Sequence, residues 1–370
     1  MTAPSGRPPP SGGPASVGPG PYFSVLVTAY RRRTFVREAV QSVLDQSVPR
    51  SDVEVIVIKD FTDAELDGWL AGLGPSVQTV TEDLPRIGQM LVRGLSRARG
   101  EVFCFLDDDD RFRPMKLEGL RALFGADRTL GLVRNSYDAI DFDGRPIPSW
   151  ERFRPQPPDA ATWGPGHEDV RFPWLYRFGG YVNESTISVR TSVARPWSEW
   201  LDRVTASCDI ALFTVALASG VGVRVEPARW NDYRVHASTS HPAIVDGNEA
   251  LDLRDVQRSL ATAEVLRAAV ASAPGHPAAV RMSESFRLES AAVAFLLDPG
   301  ARFSFGDWLR FARTILWRRQ AYLGTLWVYC LRRWFRPRAT VRAYRARRHG
   351  DLRRSATAAS GGSPVGESRP

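Results

Sequence analysis

Lysine is nearly absent from this chain of 370 residues. Only Lys59 and Lys116 occur among 49 basic residues, so the positive charge is almost wholly arginine. Cysteine is scarce too. Cys104, Cys208 and Cys330 are widely spaced and odd in number, which offers no disulfide scaffold and no cysteine zinc site, and fits a reducing compartment. The first twenty residues contain no apolar run of the kind a secretory signal needs, so a cytoplasmic chain is expected. No Gly-x-Gly-x-x-Gly follows the first apolar run, which disfavours a dinucleotide-binding dehydrogenase. No internal repeat is present.

Hydrophobic residues at 43% and charged residues at 24% suit a globular chain with a sizeable core. At about 150 residues per domain, two or three units are expected. The net charge of +8 conceals an asymmetry. From Arg302 to Arg354 there are fifteen arginines and two acids, a local charge of +13 that leaves −5 for the rest. A basic tail on a mildly acidic body points to a local anionic partner, a membrane surface or nucleic acid. No nucleic-acid reader motif accompanies that charge, so no nucleic acid is expected. Residues 1–21 and 356–370 are rich in small residues without periodicity and are expected to be disordered.

Between these tails the pattern is regular. Phe23–Ala29 is a short apolar, β-branched run of the kind found in buried parallel strands. Thr34 opens a helical pattern that Pro49 closes. Strands are expected at Val53–Ile58, Val77–Val80 and Val102–Leu106, with helices at Ala64–Leu73 and Ile87–Ala98 and another opening at Pro114. This order argues an α/β fold of Rossmann type, a mostly parallel sheet flanked by helices. Beyond Leu130 short strands are expected at Gly131–Val133, Glu184–Val189 and Val221–Val225, with a helix at Arg203–Ser219 capped by Gly220. A helical extension follows: Glu249–Ala271, Pro277–Leu297, and a long helix or pair from Phe305 to about Trp334.

Four aspartates, Asp107 to Asp110, end the fourth expected strand. Ligands of open α/β sheets bind outside the carboxyl ends of the strands. Carboxylates gathered there repel one another unless a cation is present, and such oxygen ligands suit Mg²⁺ or Mn²⁺ bridging to substrate phosphates. The plainer reading is an acidic helix N-terminus. The strand before the tetrad and the proline-opened helix after it favour the metal.

Here the chain resembles the inverting family 2 glycosyltransferases, which have the GT-A fold. The likeness lies in Ser24-Val-Leu-Val-Thr-Ala-Tyr30, in the helix from Phe35 to Gln46, in Ala98 to Glu118 around the tetrad, and in Tyr233-Arg-Val-His-Ala-Ser238. It covers residues 22 to about 240 and implies a catalytic domain at 22–245, followed by a helical basic region at 246–355. It implies a nucleotide-diphosphate sugar donor bound by Thr28, Ala29, Tyr30, Asp60, Asp107 and Asp108. Asp109 takes the place expected to bind the metal, and His236 a place where some members add a metal or phosphate contact. The acceptor implied is a saccharide or lipid-linked hydroxyl. An inverting transfer needs a carboxylate to accept the hydroxyl proton as its oxygen attacks the anomeric carbon. Asp209 matches the family's position for that base, with Glu184 next in line. A non-catalytic sugar-nucleotide or glycan-binding module of the same fold is the alternative, supported by Lys59 and Arg31 where the family has an acid and an asparagine.

Weaker signals remain. Lys59, Arg86 and Arg93 are either diphosphate ligands or surface charges. Trp150, Trp163, Trp174, Tyr176 and Tyr181 bracket the acceptor region, as sugar-stacking or core residues. Asn183-Glu-Ser185 is formally a glycosylation triplet, without meaning inside a cell. His167 and His241 have no assigned role. Leu323, Trp327, Cys330, Leu331 and Trp334 share one face of a helix whose uncharged run, Ala321–Leu331, is shorter than the about 20 residues of a membrane span. An interfacial helix would place residues 305–348 on an anionic surface, at the inner face of the plasma membrane. Packing onto the catalytic domain is the competing expectation.

Overall fold

The computed structural model describes residues 20–152, 156–165, 172–180, 183–235, 249–273, 276–298, 300–318, 321–336, 338–344 and 346. The segments expected to be disordered lie outside these residues apart from positions 20 and 21, as do His167, Tyr181, His236 and His241.

β1 (Phe23–Ala29), α1 (Val36–Leu44), β2 (Val53–Lys59), α2 (Ala64–Gly72), β3 (Val77–Thr81), α3 (Ile87–Arg97) and β4 (Val102–Asp107) alternate as the periodicity predicts. The four strands pair in parallel in the order β3-β2-β1-β4. Successive side chains of a strand point to opposite faces. Leu26, Ile56, Phe103 and Phe105 therefore feed one core, and Val25, Val27, Val55 and Leu106 the other. At Gly100, just before β4, a Cβ would stand 2.6 Å from the Ser24 backbone nitrogen, so only glycine lets these segments meet.

The sheet continues through β5 (Arg111–Phe112), then past α4 (Lys116–Ala126) to β6 (Leu130–Ile140), β7 (Ala161–Trp163), β8 (Ile187–Arg190) and β9 (Gly222–Arg234). β8 lies antiparallel between β4 and β6, and β6 runs parallel to β9. The result is an α/β architecture, a mixed sheet with helices on both faces.

Four expected elements change shape. The short strands at 131–133 and 221–225 are the starts of β6 and β9, with 11 and 13 residues. Hydropathy loses them where Arg134, Asn135, Ser136, Asn231 and Arg234 enter the sheet, yet all five are buried. The strand expected from Glu184 opens with a 3₁₀ turn, Glu184–Thr186, before β8. The helix expected from Arg203 begins at Cys208, because Ser207 sits at φ 58° and Thr262 Oγ1 accepts the Thr205 and Ala206 N–H groups. Gly220, at φ 68°, follows the helix end as expected.

Helices Glu249–Ala271 and Pro277–Leu297 pack on the helix Cys208–Ala218, and Ala263, Leu266, Met282 and Phe286 join its core. A separate cluster forms from Phe295, Phe303, Phe311, Leu326 and Cys330, where helices Phe305–Arg318 and Ala321–Phe335 meet the end of Pro277–Leu297. The single apolar face expected on the last helix is divided. Cys330 is buried and Trp327 packs edge-on against Trp308 at 4.8 Å, whereas Trp334 and Phe335 are 66% and 86% exposed. The side chain of Leu323 lies outside the described residues. Among the described residues no helix is long and apolar enough to cross a membrane.

Candidate active site

The carboxyl ends of β1, β2 and β4 lie side by side because their ladders are parallel and in register. Thr28 pairs with Asp107 and Ala29 with Lys59. Thr28 and Ala29 are buried, and Tyr30 is partly exposed just past the strand end. Next comes Arg31 at φ 56°, a conformation that costs a non-glycine residue on the order of 1–3 kcal/mol. Asp60, at the end of β2, offsets part of this. Its Oδ1 accepts the Arg31 N–H at 2.7 Å. Arg31 and Ser207 are the two non-glycine residues with positive φ among the described residues.

The four aspartates divide their work. Asp107, Asp109 and Asp110 each offer a carboxylate oxygen within 4.8 Å of the others. Asp108 turns to Arg32, whose two amino groups bridge Asp108 Oδ1 and Asp109 Oδ2 at 2.6 Å each. Asp110 is wholly enclosed. Its Oδ2 accepts from Asn183 Nδ2 at 2.7 Å and Ser185 Oγ at 2.6 Å, and its Oδ1 from the Arg234 N–H at 2.9 Å. Arg234 also donates Nε to the Asp109 carbonyl and Nη2 to Glu38. The tight Asp109–Asp110 turn is thereby fastened to β9. His236, two residues beyond Arg234, lies outside the described residues.

Burial and crowding disfavour the ionised carboxylates of this cluster. Burial, followed by Glu184 and the neighbouring aspartates, pushes Asp107 well above the usual carboxylate range. Burial pushes Asp108 up to about 7 against the pull of Arg32, and Asp110 to about 7 with Asp109 adding to it. Crowded hard oxygens that resist ionisation fit Mg²⁺ or Mn²⁺.

Asp209 lies in the first turn of the helix Cys208–Ala218 and is 7% exposed. Glu184 connects it to the aspartates. The Glu184 carboxylate accepts the Cys208 N–H at 3.2 Å, while Asn183 and Ser185 on either side clamp Asp110. Burial, then the charge of Asp209, raises Glu184 to about 8. Arg134 on β6 is also buried beside this group. Burial lowers its pKa to about 10, and Tyr137 and Asp209 oppose the shift.

Sequence reasoning missed several of these contributors. The triplet Asn183-Glu-Ser185 is no glycosylation signal but the joint between the aspartates and the helix of Asp209. Lys116 is fully buried and donates to the Ser185 carbonyl and to Asn231 Oδ1 at 2.7 and 2.9 Å, and burial lowers its pKa to about 7. Arg32 was one of three consecutive arginines without a distinguishing mark. Lys59 is neither a phosphate ligand nor a surface charge. It is buried, donates to the Phe61 carbonyl and pairs with Asp67 at 2.9 Å. Arg86 and Arg93 are paired with Asp202 and Glu82. Trp150 and Tyr176 are core residues, Trp150 packing on Tyr233, and Trp174 packs against Phe178.

Residues 24–181 match the family model described as "Glycosyl transferase family 2". The chain is 30% identical over 131 residues to the "Putative teichuronic acid biosynthesis glycosyltransferase TuaG" of Bacillus subtilis (strain 168), covering 34% of this chain and 51% of that protein. It is 25% identical over 127 residues to an uncharacterized glycosyltransferase of Rickettsia felis, covering 34% of this chain and 21% of the relative. The chain thus spans about half or less of the length of these curated relatives. A crystal structure of S. aureus TarS 1–349 in complex with UDP-GlcNAc aligns with TM-score 0.49 and 16% identity, covering 84% of this chain and 91% of that one.

Proposed function

We propose that the chain, whose residues 24–181 match the family model of glycosyltransferase family 2, transfers a sugar from a nucleotide-diphosphate donor to a hydroxyl acceptor, with inversion and with a divalent metal. The observation that carries this reading is the placing of two carboxylate groups. Asp107, Asp109 and Asp110 cluster at the strand ends, and Glu184 lies between them and Asp209, close enough to feel the charge of both. The donor half would hold the nucleotide between Thr28, Ala29, Tyr30, Asp60, Asp107 and Asp108. Asp109, with oxygens of Asp107 and Asp110 beside it, would hold Mg²⁺ or Mn²⁺, and His236 is a further candidate ligand. When bound, the metal neutralises the charge of the departing diphosphate.

Asp209 is the proposed base. It would accept the acceptor hydroxyl proton as the oxygen attacks the anomeric carbon. Glu184 is the weaker candidate, since a carboxyl that keeps its proton to about 8 is a poor acceptor near neutrality. Environments that push neighbouring carboxyls apart are how such roles are divided. The non-catalytic alternative loses its two supports. Lys59 is buried and its ammonium is taken up by Asp67 and the Phe61 carbonyl, and the Arg31 N–H is used to fix a turn.

A thermal-shift screen of UDP-, GDP- and dTDP-sugars with and without Mn²⁺ tests the proposal. A donor at a hundredfold its dissociation constant should add about 2.7 kcal/mol to stability. If no nucleotide sugar raises the melting temperature in either condition, the donor reading is wrong.

The likeness to TuaG supports a cell-envelope glycan or lipid-linked saccharide as acceptor, reached at the cytoplasmic face of a membrane. We place the anionic surface against Leu331, Trp334 and Phe335, which are exposed beside Arg332 and Arg336. Each arginine near an anionic surface contributes about 1 kcal/mol, screened over about 10 Å at 0.1 M salt. Full-length protein is expected to float with anionic vesicles at low salt and to be released as salt rises. The triple variant Leu331→Ser, Trp334→Ser, Phe335→Ser should lose flotation while keeping a cooperative melting transition, somewhat lowered because Trp334 packs on Phe295. Flotation undiminished in that variant would rule out this face.

A further inference from the structure

Arg32 occupies an unusual place for a side chain beside a metal-binding carboxylate. It projects from the turn after β1, and its two amino groups reach Asp108 Oδ1 and Asp109 Oδ2 at 2.6 Å each. Its own side chain is 29% exposed, and those of the two aspartates are 3% and 8% exposed. The guanidinium therefore lies over the carboxylates on their solvent side. A divalent cation on Asp109 would meet a fixed positive charge within a few ångströms, in surroundings that screen it poorly. The same planar fork that bridges two carboxylates also fits two oxygens of a phosphate. Arg31 and Arg33, its neighbours, are 78% and 63% exposed and pair with Asp60 and Asp63 instead.

We infer that Arg32 and the divalent cation compete for Asp109, and that the diphosphate of the donor resolves the competition by drawing Arg32 to itself. This inference rests on the nucleotide-sugar reading above. Arg32 becomes a donor-binding residue, and metal and donor become coupled ligands. Each admits the other because both relieve the Arg32–Asp109 pair. Such coupling is reciprocal, and each ligand must tighten the other by the same factor.

The test measures Mn²⁺ binding to the full chain by electron paramagnetic resonance of free Mn²⁺, with and without UDP or GDP. Removing the competing charge in Arg32→Gln is expected to tighten Mn²⁺ about tenfold without nucleotide, the effect of one modest charge interaction. It should also shrink the gain in Mn²⁺ affinity that the nucleotide brings in the wild type. Arg32→Lys keeps the charge but cannot span both carboxylates, and should fall between the two. If Arg32→Gln and Arg32→Lys bind Mn²⁺ no more tightly than wild type while Asp109→Asn still loses Mn²⁺, the competition is refuted and the metal site stands. If Asp109→Asn leaves Mn²⁺ affinity unchanged in wild type and in Arg32→Gln, the cation does not use Asp109 and both readings fall.

Discussion

Replacing Asp209 with asparagine is expected to lower turnover by roughly 10²- to 10⁴-fold, the usual cost of losing a general base. Asparagine keeps the size of the side chain and most of its hydrogen bonding but accepts no proton. The residue is nearly buried in the first turn of the helix Cys208–Ala218, where a neutral amide is tolerated. The fold should therefore survive, and the melting temperature serves as the control. Donor affinity should hardly change, because Arg32 holds Asp108 and Asp109 while Asn183, Ser185 and Arg234 hold Asp110. Steady-state rates at saturating donor and acceptor decide it. Turnover within a few-fold of wild type would return Asp209 to a structural role. Glu184→Gln would then be the next variant, although its raised pKa counts against it.

Asp109→Ala is expected to abolish the Mn²⁺-dependent part of nucleotide binding. The carboxylate is one of three that converge, and without it the remaining oxygens belong to Asp107 and the enclosed Asp110. Calorimetric titration of UDP or GDP with and without Mn²⁺ separates the metal-dependent affinity from the rest. Unchanged Mn²⁺-dependent affinity would remove Asp109 from the site. Asp110→Ala serves as the contrast. Read as a residue outside the Asp107–Asp109 pair, it should matter less for binding. Its three hydrogen bonds to Asn183, Ser185 and Arg234 mean that its loss should appear in stability instead. An unpaired buried donor costs about 1–3 kcal/mol, and three donors would lose their acceptor.

The alternation of β1, α1, β2, α2, β3, α3 and β4 was legible because each element carries its own periodicity. Asp107 to Asp110 could be read for a similar reason. They are neighbours in the chain, and the strand that delivers them is apolar throughout. The later strands were legible only at their apolar starts. Arg134, Asn135 and Asn231 look like loop residues in a hydropathy pattern, yet β6 and β9 bury them against one another, and Asn135 Nδ2 donates to Asn231 Oδ1 at 2.8 Å. Burial supplied partners that local sequence does not reveal. The last helix shows the opposite failure. One apolar face was read, but Trp308 claims Trp327 and leaves Trp334 outside.

Read alone, the amino-acid order is enough for the parallel α/β half, the position of the acidic cluster at a strand end, the Asp209 helix start to within five residues, and the uneven charge. Each is a property of a continuous stretch, set by side-chain period or by local charge. Which charges meet is fixed by the folded arrangement. Arg32 reaches Asp108 across 76 positions, Arg234 reaches Asp110 across 124, and Glu184 caps Cys208 across 24. Such pairings depend on strand order and register, which place distant residues within hydrogen-bond reach. They also decided that Lys59, at the end of β2, is buried where its position suggests a phosphate ligand, because Asp67 and the Phe61 carbonyl take up its ammonium.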